Sequence, residues 1–178
     1  MNSKKNKIVL FHDYFDNYGG GERLAFYFAN IFGVSVHTTF ISKEINKIIG
    51  LKIHKYNNHI IKYAPFIVYF PSIIKKIFVY LFFKYSKFEK INSDIIFYSG
   101  NYSLLSSKKF KCKKKILYLH SLPKSFFSTI FINEYSYAMK LFIDFVFKYY
   151  FRSFIESLYD MDLIICNSQY TKKKYFIH

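Results

Sequence analysis

The chain has 178 residues, enough for one domain, and its 52% apolar content can bury a core, which excludes wholesale disorder. Lys and Arg total 27 against 11 acids, a formal charge of +16, and aromatic residues make up 23% with no Trp. That lysine excess has two readings, an AT-rich codon bias or attraction to an anionic partner; only Arg23 and Arg152 are arginine, which argues against nucleic acid, whose phosphates and guanines favour guanidinium.

Residues 7–11 (KIVLF) form a short, branched, apolar run that predicts a buried strand. A polar segment follows and ends in Gly19-Gly20-Gly21. Residues 22–32 then carry Leu24, Tyr27, Phe28 and Ile31 at helical spacing, and Gly33 stops them. Residues 34–40 (VSVHTTF) alternate as a second strand, so the opening reads as one βαβ unit. Residues 51–54 read as a short strand. Residues 58–87 read as helical, broken by Pro65 and Pro71 and dotted with Lys75, Lys76 and Lys84. Their longest lysine-free stretch, 63–74, falls short of the ~20 residues a membrane span needs. Further strands are expected at 94–98 (DIIFY), 115–120 (KILYLH) and 162–166 (DLIIC). Between the last two, residues 133–159 predict a helix whose Ala138, Phe142, Phe145 and Tyr149 pack on a sheet.

Strands alternating with helices imply an α/β, Rossmann-like, doubly wound and mostly parallel sheet with helices on both faces. Ligands of such sheets bind beyond the C-terminal ends of the strands, here residues 13–22, 99–102, 120–124 and 167–168. Asp13 is expected to cap a loop, His37 to pack on its strand, and Asn167-Ser168 to cap the following helix. No His/Asp/Glu cluster has metal-ligand spacing, so no metal or other cofactor is expected. Cys112 and Cys166 form no CxxC pair, which suits a reducing compartment. The run at 8–11 is too short for a signal peptide.

The glycine turn between strand and helix lets a ligand approach the backbone. The helix start behind it offers free N–H groups and about half a positive charge. A phosphate or polar sugar is the natural guest, and a plain tight turn is the alternative. The spacing is neither the dinucleotide fingerprint nor a P-loop.

His12-Asp13-Tyr14, a short loop and Gly20-Gly21-Glu22-Arg23 opening a helix resemble the start of family 4 glycosyltransferases. Three later segments support the resemblance: Asp94 to Ser99 (DIIFYS), Tyr118 to Pro123 (YLHSLP) and Asp162 to Lys172 (DLIICNSQYTK). They fall in the family's order and span nearly the whole chain. The resemblance implies one half of a GT-B fold, the acceptor-side half, with residues 1–178 as a single Rossmann-like domain. No pair among Glu22, Glu44, Glu89, Glu134 and Glu156 has the family's Glu-x7-Glu spacing, so the donor-binding half is expected to be absent from these residues.

By the same resemblance the activity is transfer of a sugar from a nucleotide-sugar donor to a glycan or lipid-linked acceptor, with retention of configuration and without a metal, once a donor domain completes the cleft. Gly20 and Gly21 would face the donor diphosphate, with Glu22 and Ser121 beside them; the other reading of Glu22 is that it caps the helix start or orients the loop. His120 would be the catalytic histidine near the reacting sugar, an imidazole able to donate or accept a hydrogen bond near neutral pH. Leu122, where the family often has proline, and the extra Gly19 depart from the pattern. The implied location is cytoplasmic, at the inner membrane face, and lysines interleaved with Phe and Tyr at 63–87 and 148–152 would favour anionic lipid. The other reading of those segments is codon bias with ordinary core packing. The alternative function is a non-catalytic basic module that docks on a membrane or partner.

Overall fold

A computed structural model of the chain describes residues 7–52, 60–88, 91–120 and 136–176. Six strands, β1 (Ile8–His12), β2 (Val36–Thr38), β3 (Ile60–Lys62), β4 (Ile95–Ser99), β5 (Lys114–Leu119) and β6 (Leu163–Cys166), form one open sheet. Its order is β3-β2-β1-β4-β5-β6 and every pairing is parallel. Helices α1 (Gly20–Phe32), α2 (Lys43–Lys52), α3 (Ser72–Tyr85), α4 (Tyr137–Leu158) and α5 (Gln169–Phe176) connect or follow the strands, with 3-10 turns at Pro65–Tyr69 and Ser103–Lys109. This is the Rossmann-like α/β architecture that the alternation of elements implies.

Period-two alternation along the strands builds two cores. Val9 and Phe11, Ile96 and Tyr98, and Leu117 and Leu119 face one side, where they meet Val79 and Phe83 of α3 and Tyr150 and Phe154 of α4. Leu10 and Phe97 face the other side, against Ala25, Phe26 and Ala29 of α1 and Ile45 of α2. The register is pinned by aspartates at the strand starts. The Asp94 carboxylate accepts the Lys7 N–H at 3.0 Å, and that of Asp162 accepts the Lys115 N–H at 2.7 Å. Helix α1 ends where Gly33 takes a left-handed φ of 61° and donates its N–H back into the last turn.

Two expectations fail. Leu51 and Lys52 continue α2 rather than starting a strand, and the third strand is β3, inside the region read as helical. The chain enters β3 there because Val36, His37 and Thr38 pair with Ile60, Ile61 and Lys62. Helix α4 also turns the other way. Phe142, Phe145 and Tyr149 are exposed, Phe145 by 58%, while Tyr150 and Phe154 are buried in the core with the strand residues and Ile143 is buried as well. The side toward the sheet also holds Ser153 and Ser157, each bonding the carbonyl four residues back, small enough to let the helix approach. Phe154→Ala is therefore expected to cost about 3–5 kcal/mol in urea-induced unfolding, and Phe145→Ala no more than about 0.5 kcal/mol. Equal losses would contradict this orientation.

Candidate functional site

Strand order reverses between β1 and β4, because their connections leave on opposite faces of the sheet; such a switch point opens a crevice at the strands' C-terminal ends. A cleft of about 150 Å³ lies there. Its walls are His12, Asp13 and Tyr14 at the end of β1, Gly21 and Glu22 in the first turn of α1, Ser99, Gly100 and Asn101 at the end of β4, and His120 just past β5. A larger hollow, about 640 Å³, opens at the other end of the strands beside Lys7, Gly33 and Asn92, and no comparable set of side chains converges on it.

The register sets His12 beside Ser99. His12 Nδ1–H donates to the Ser99 carbonyl oxygen, which fixes the tautomer and leaves Nε2 unprotonated. The Ser99 hydroxyl in turn meets His120 Nε2 at 3.0 Å. His120 lies with its ring face toward Gly21: a Cβ built on Gly21 would sit 3.7 Å from both Nδ1 and Cε1 and 3.8 Å from Cδ2. Burial lowers the pKa of both imidazoles to about 4, and for His120 the nearby His12 adds to the fall; for His12 the hydrogen bond to Ser99 works against the fall, and for His120 nearby Asp13 does. Both rings are neutral at pH 7.

Asp13 is half-buried and serves the backbone. Its carboxylate accepts N–H groups from Asn101 at 2.9 Å, Tyr102 at 3.0 Å and Ser103 at 2.6 Å, closing the start of the 3-10 turn. Burial nonetheless raises its pKa, with those amides opposing. This is the capping role expected of it. Glu22 behaves similarly at α1: burial pushes its pKa up, while the backbone amides of Glu22 and Gly19 hold it down. Its carboxylate therefore belongs to the helix start, and no described residue takes the Gly20 or Gly21 N–H.

Glycine is required at some of these places and not at others. A Cβ on Gly100 would lie 2.2 Å from the Asp13 carboxylate, so only glycine fits. A Cβ on Gly20 meets nothing within 4 Å and one on Gly21 makes only ordinary contact, with neither backbone at positive φ. Internal packing does not account for these two.

Of the residues singled out from sequence, the structure thus brings Gly21, Glu22 and His120 together. Gly20 points elsewhere, into a shallow hollow with Tyr18, Arg23 and Tyr27. Ser121 lies outside the described residues. Asn167 and Ser168 stand apart from the cleft: the Ser168 hydroxyl accepts the Thr171 N–H at 3.1 Å, capping α5 as expected. His37 is packed, its Nδ1 2.6 Å from the Tyr63 hydroxyl, and burial lowers its pKa to about 4. His12, Ser99 and Gly100 join the site without having been assigned a part. The signal for Ser99 and Gly100 was their position just past a strand end. No family model, no curated protein and no solved structure matches this chain.

Two measurements check this account. Gly100→Ala should destabilise the fold by about 1–3 kcal/mol, whereas Gly21→Ala should leave it unchanged or up to about 1 kcal/mol more stable, in thermal or urea melts. Lowered histidine pKa values also tie stability to pH. Below about pH 6.5 the unfolded chain takes up protons that the folded chain accepts only near pH 4, so these groups withdraw stability as pH falls through that window. Asp13 and Glu22, with raised values, act in the opposite sense. His37→Phe should therefore shrink the loss of stability between about pH 7 and about pH 5, by at most ~2 kcal/mol. An unchanged loss would contradict a buried neutral His37.

Proposed function

We propose that this chain is the acceptor-side domain of a glycosyltransferase of family 4 type, completing a sugar-transfer cleft with a donor-binding domain. What supports the reading is Gly21, a glycine that packing does not require, facing the neutral His120 ring at the sheet's switch point. Glycine in a first helical turn costs about 0.5–1 kcal/mol relative to alanine. Close approach of a ligand to the backbone explains its presence.

The chemistry follows from the groups available. The Gly21 N–H and the positive end of α1 offset the charge of a diphosphate. His120, neutral and held through Nε2 by Ser99, turns Nδ1 to a sugar hydroxyl, and burial keeps that ring from carrying a proton at pH 7. Asp13 is not a proton acceptor for substrate, because three amides already occupy its oxygens. Half a cleft neither positions two substrates nor excludes water, so transfer needs the second domain. The reading goes with a cytoplasmic chain working at the inner membrane face.

The test is a titration of the isotope-labelled chain with UDP-glucose, GDP-mannose and UDP, read by amide and imidazole resonances. Weak binding, around the millimolar level expected of half a site, should move Gly21, Glu22, Ser99 and His120 together. Gly21→Leu, which crowds the His120 ring, should abolish the response while the circular dichroism stays unchanged. No response at these residues, or an unaltered response in the variant, would sink the proposal; so would sugar transfer at enzymatic rates by the chain alone.

A further inference from the structure

We propose that helices α3 and α4 form the face by which this protein lies on an anionic phospholipid surface. On α3, Ile74, Phe78, Leu81 and Tyr85 recur every three or four residues, and all are exposed, from 38% at Ile74 to 67% at Tyr85. On α4, Leu141, Phe142, Phe145 and Tyr149 make a second exposed stripe, each more than half accessible. The two helices share one face of the sheet and touch: Tyr80 meets Tyr150 edge-on at 5.6 Å, and the Lys84 ammonium donates to the Ser153 hydroxyl. The stripes therefore lie on one side of the molecule, a larger apolar exposure than scattered surface residues produce.

Charge selects the occupant. Helix α3 carries Lys75, Lys76 and Lys84 and no acid; all three are half-buried, with Lys75 paired to Asp16 and Lys84 bonded to Ser153. On α4, Lys148 and Arg152 are exposed among the aromatic rings; of the helix's two acids, Asp144 is exposed beside them and Glu156 is engaged by Arg152 at 3.1 Å and Lys108 at 3.7 Å. A second copy would bring like charge against like charge on a chain of net charge +16. An anionic bilayer accepts both features, with the rings at the headgroup level and the exposed Lys148 and Arg152 at the phosphates. Among the described residues no helix is long and apolar enough to cross a membrane, so the face lies on the surface.

The face also reaches the cleft. In the first turn of α3, Lys75 pairs with Asp16, just past β1, at 3.0 Å. Beyond the other end of α4, Asp160 pairs with Lys115 at the start of β5, at 2.9 Å. Both helices thus begin at the sheet end that carries the cleft. Resting on the sugar-transfer reading, this orientation presents the cleft to an acceptor anchored in lipid; the docking itself does not depend on that reading.

The experiment is co-sedimentation of the full chain with vesicles of phosphatidylcholine alone or mixed with phosphatidylglycerol, at ~0.05 M and ~0.5 M salt. Binding is expected on the anionic vesicles at low salt, with severalfold loss at high salt. Leu81→Ser with Phe145→Ser, both at exposed positions, should lower partitioning roughly tenfold with an unchanged melting temperature, and Lys148→Glu severalfold. Equal binding to neutral vesicles, no binding, or undiminished binding by the variants overturns the proposal. So does a dimer in light scattering that the serine variant dissolves while vesicle binding persists. The response of Gly21 and His120 to nucleotide sugars, measured without vesicles, fails or succeeds separately.

Discussion

A single half-buried carboxylate ties the sheet together where its strand order reverses. Asp13 leaves the end of β1 and gathers three successive amides at the end of β4. Burying a carboxylate is costly, and these hydrogen bonds from backbone N–H groups are what offset the loss of water. Gly100 is the geometric condition for the contact, because any side chain there would occupy the space of the carboxylate. With β1 and β4 fixed in this way, His12 reaches the Ser99 carbonyl, Ser99 presents its hydroxyl to His120, and His120 meets Gly21. Each step of that chain uses the position of the one before it.

The glycines illustrate how a structure separates two reasons for the same residue. Gly33 and Gly100 are explained from inside the fold, one by a left-handed turn and one by the Asp13 contact. Gly20 and Gly21 are not, since alanine fits both positions and suits a helix better. Only Gly21 opens on the cleft with His120; Gly20 opens on another side, next to Arg23 and Tyr18. The run of glycines in the sequence therefore divides into residues with different surroundings, a division that spacing alone does not reveal.

How much of this was legible in the sequence depended on whether a pattern had one solution. The strands at 8–12, 95–99, 114–119 and 163–166 stood out because short branched runs between turn residues have few alternatives. Strand β3 did not: it is three residues long at the sheet's edge, and two of its residues are exposed, so no buried run announces it. Helix α4 was legible as a helix but not in orientation. Apolar rings surround it, and Leu141, Phe142, Phe145 and Tyr149 satisfy helical periodicity as well as Ile143, Tyr150 and Phe154 do. The small Ser153 and Ser157 mark the inner face, a signal of close approach rather than hydrophobicity. In the cleft, the glycine turn and His120 were legible as features at strand ends. The Ser99–His120 contact was not, since it depends on the register of β1, β4 and β5.

Electrostatics at the start of α1 constrains how an anion enters the cleft. The positive end of the helix is already partly answered by Glu22, whose carboxylate takes the amides of its own turn. On the proposed reading, a diphosphate beside Gly21 would meet the remaining N–H groups and also a neighbouring carboxylate that repels it. Burial raises the pKa of Glu22, so that group surrenders its charge more readily than an exposed glutamate as anionic charge accumulates nearby. His120 is poorly suited to supply compensating charge, because burial resists its protonation at the same pH. On the proposed reading, charge compensation falls to the helix start and directional hydrogen bonding to the imidazole.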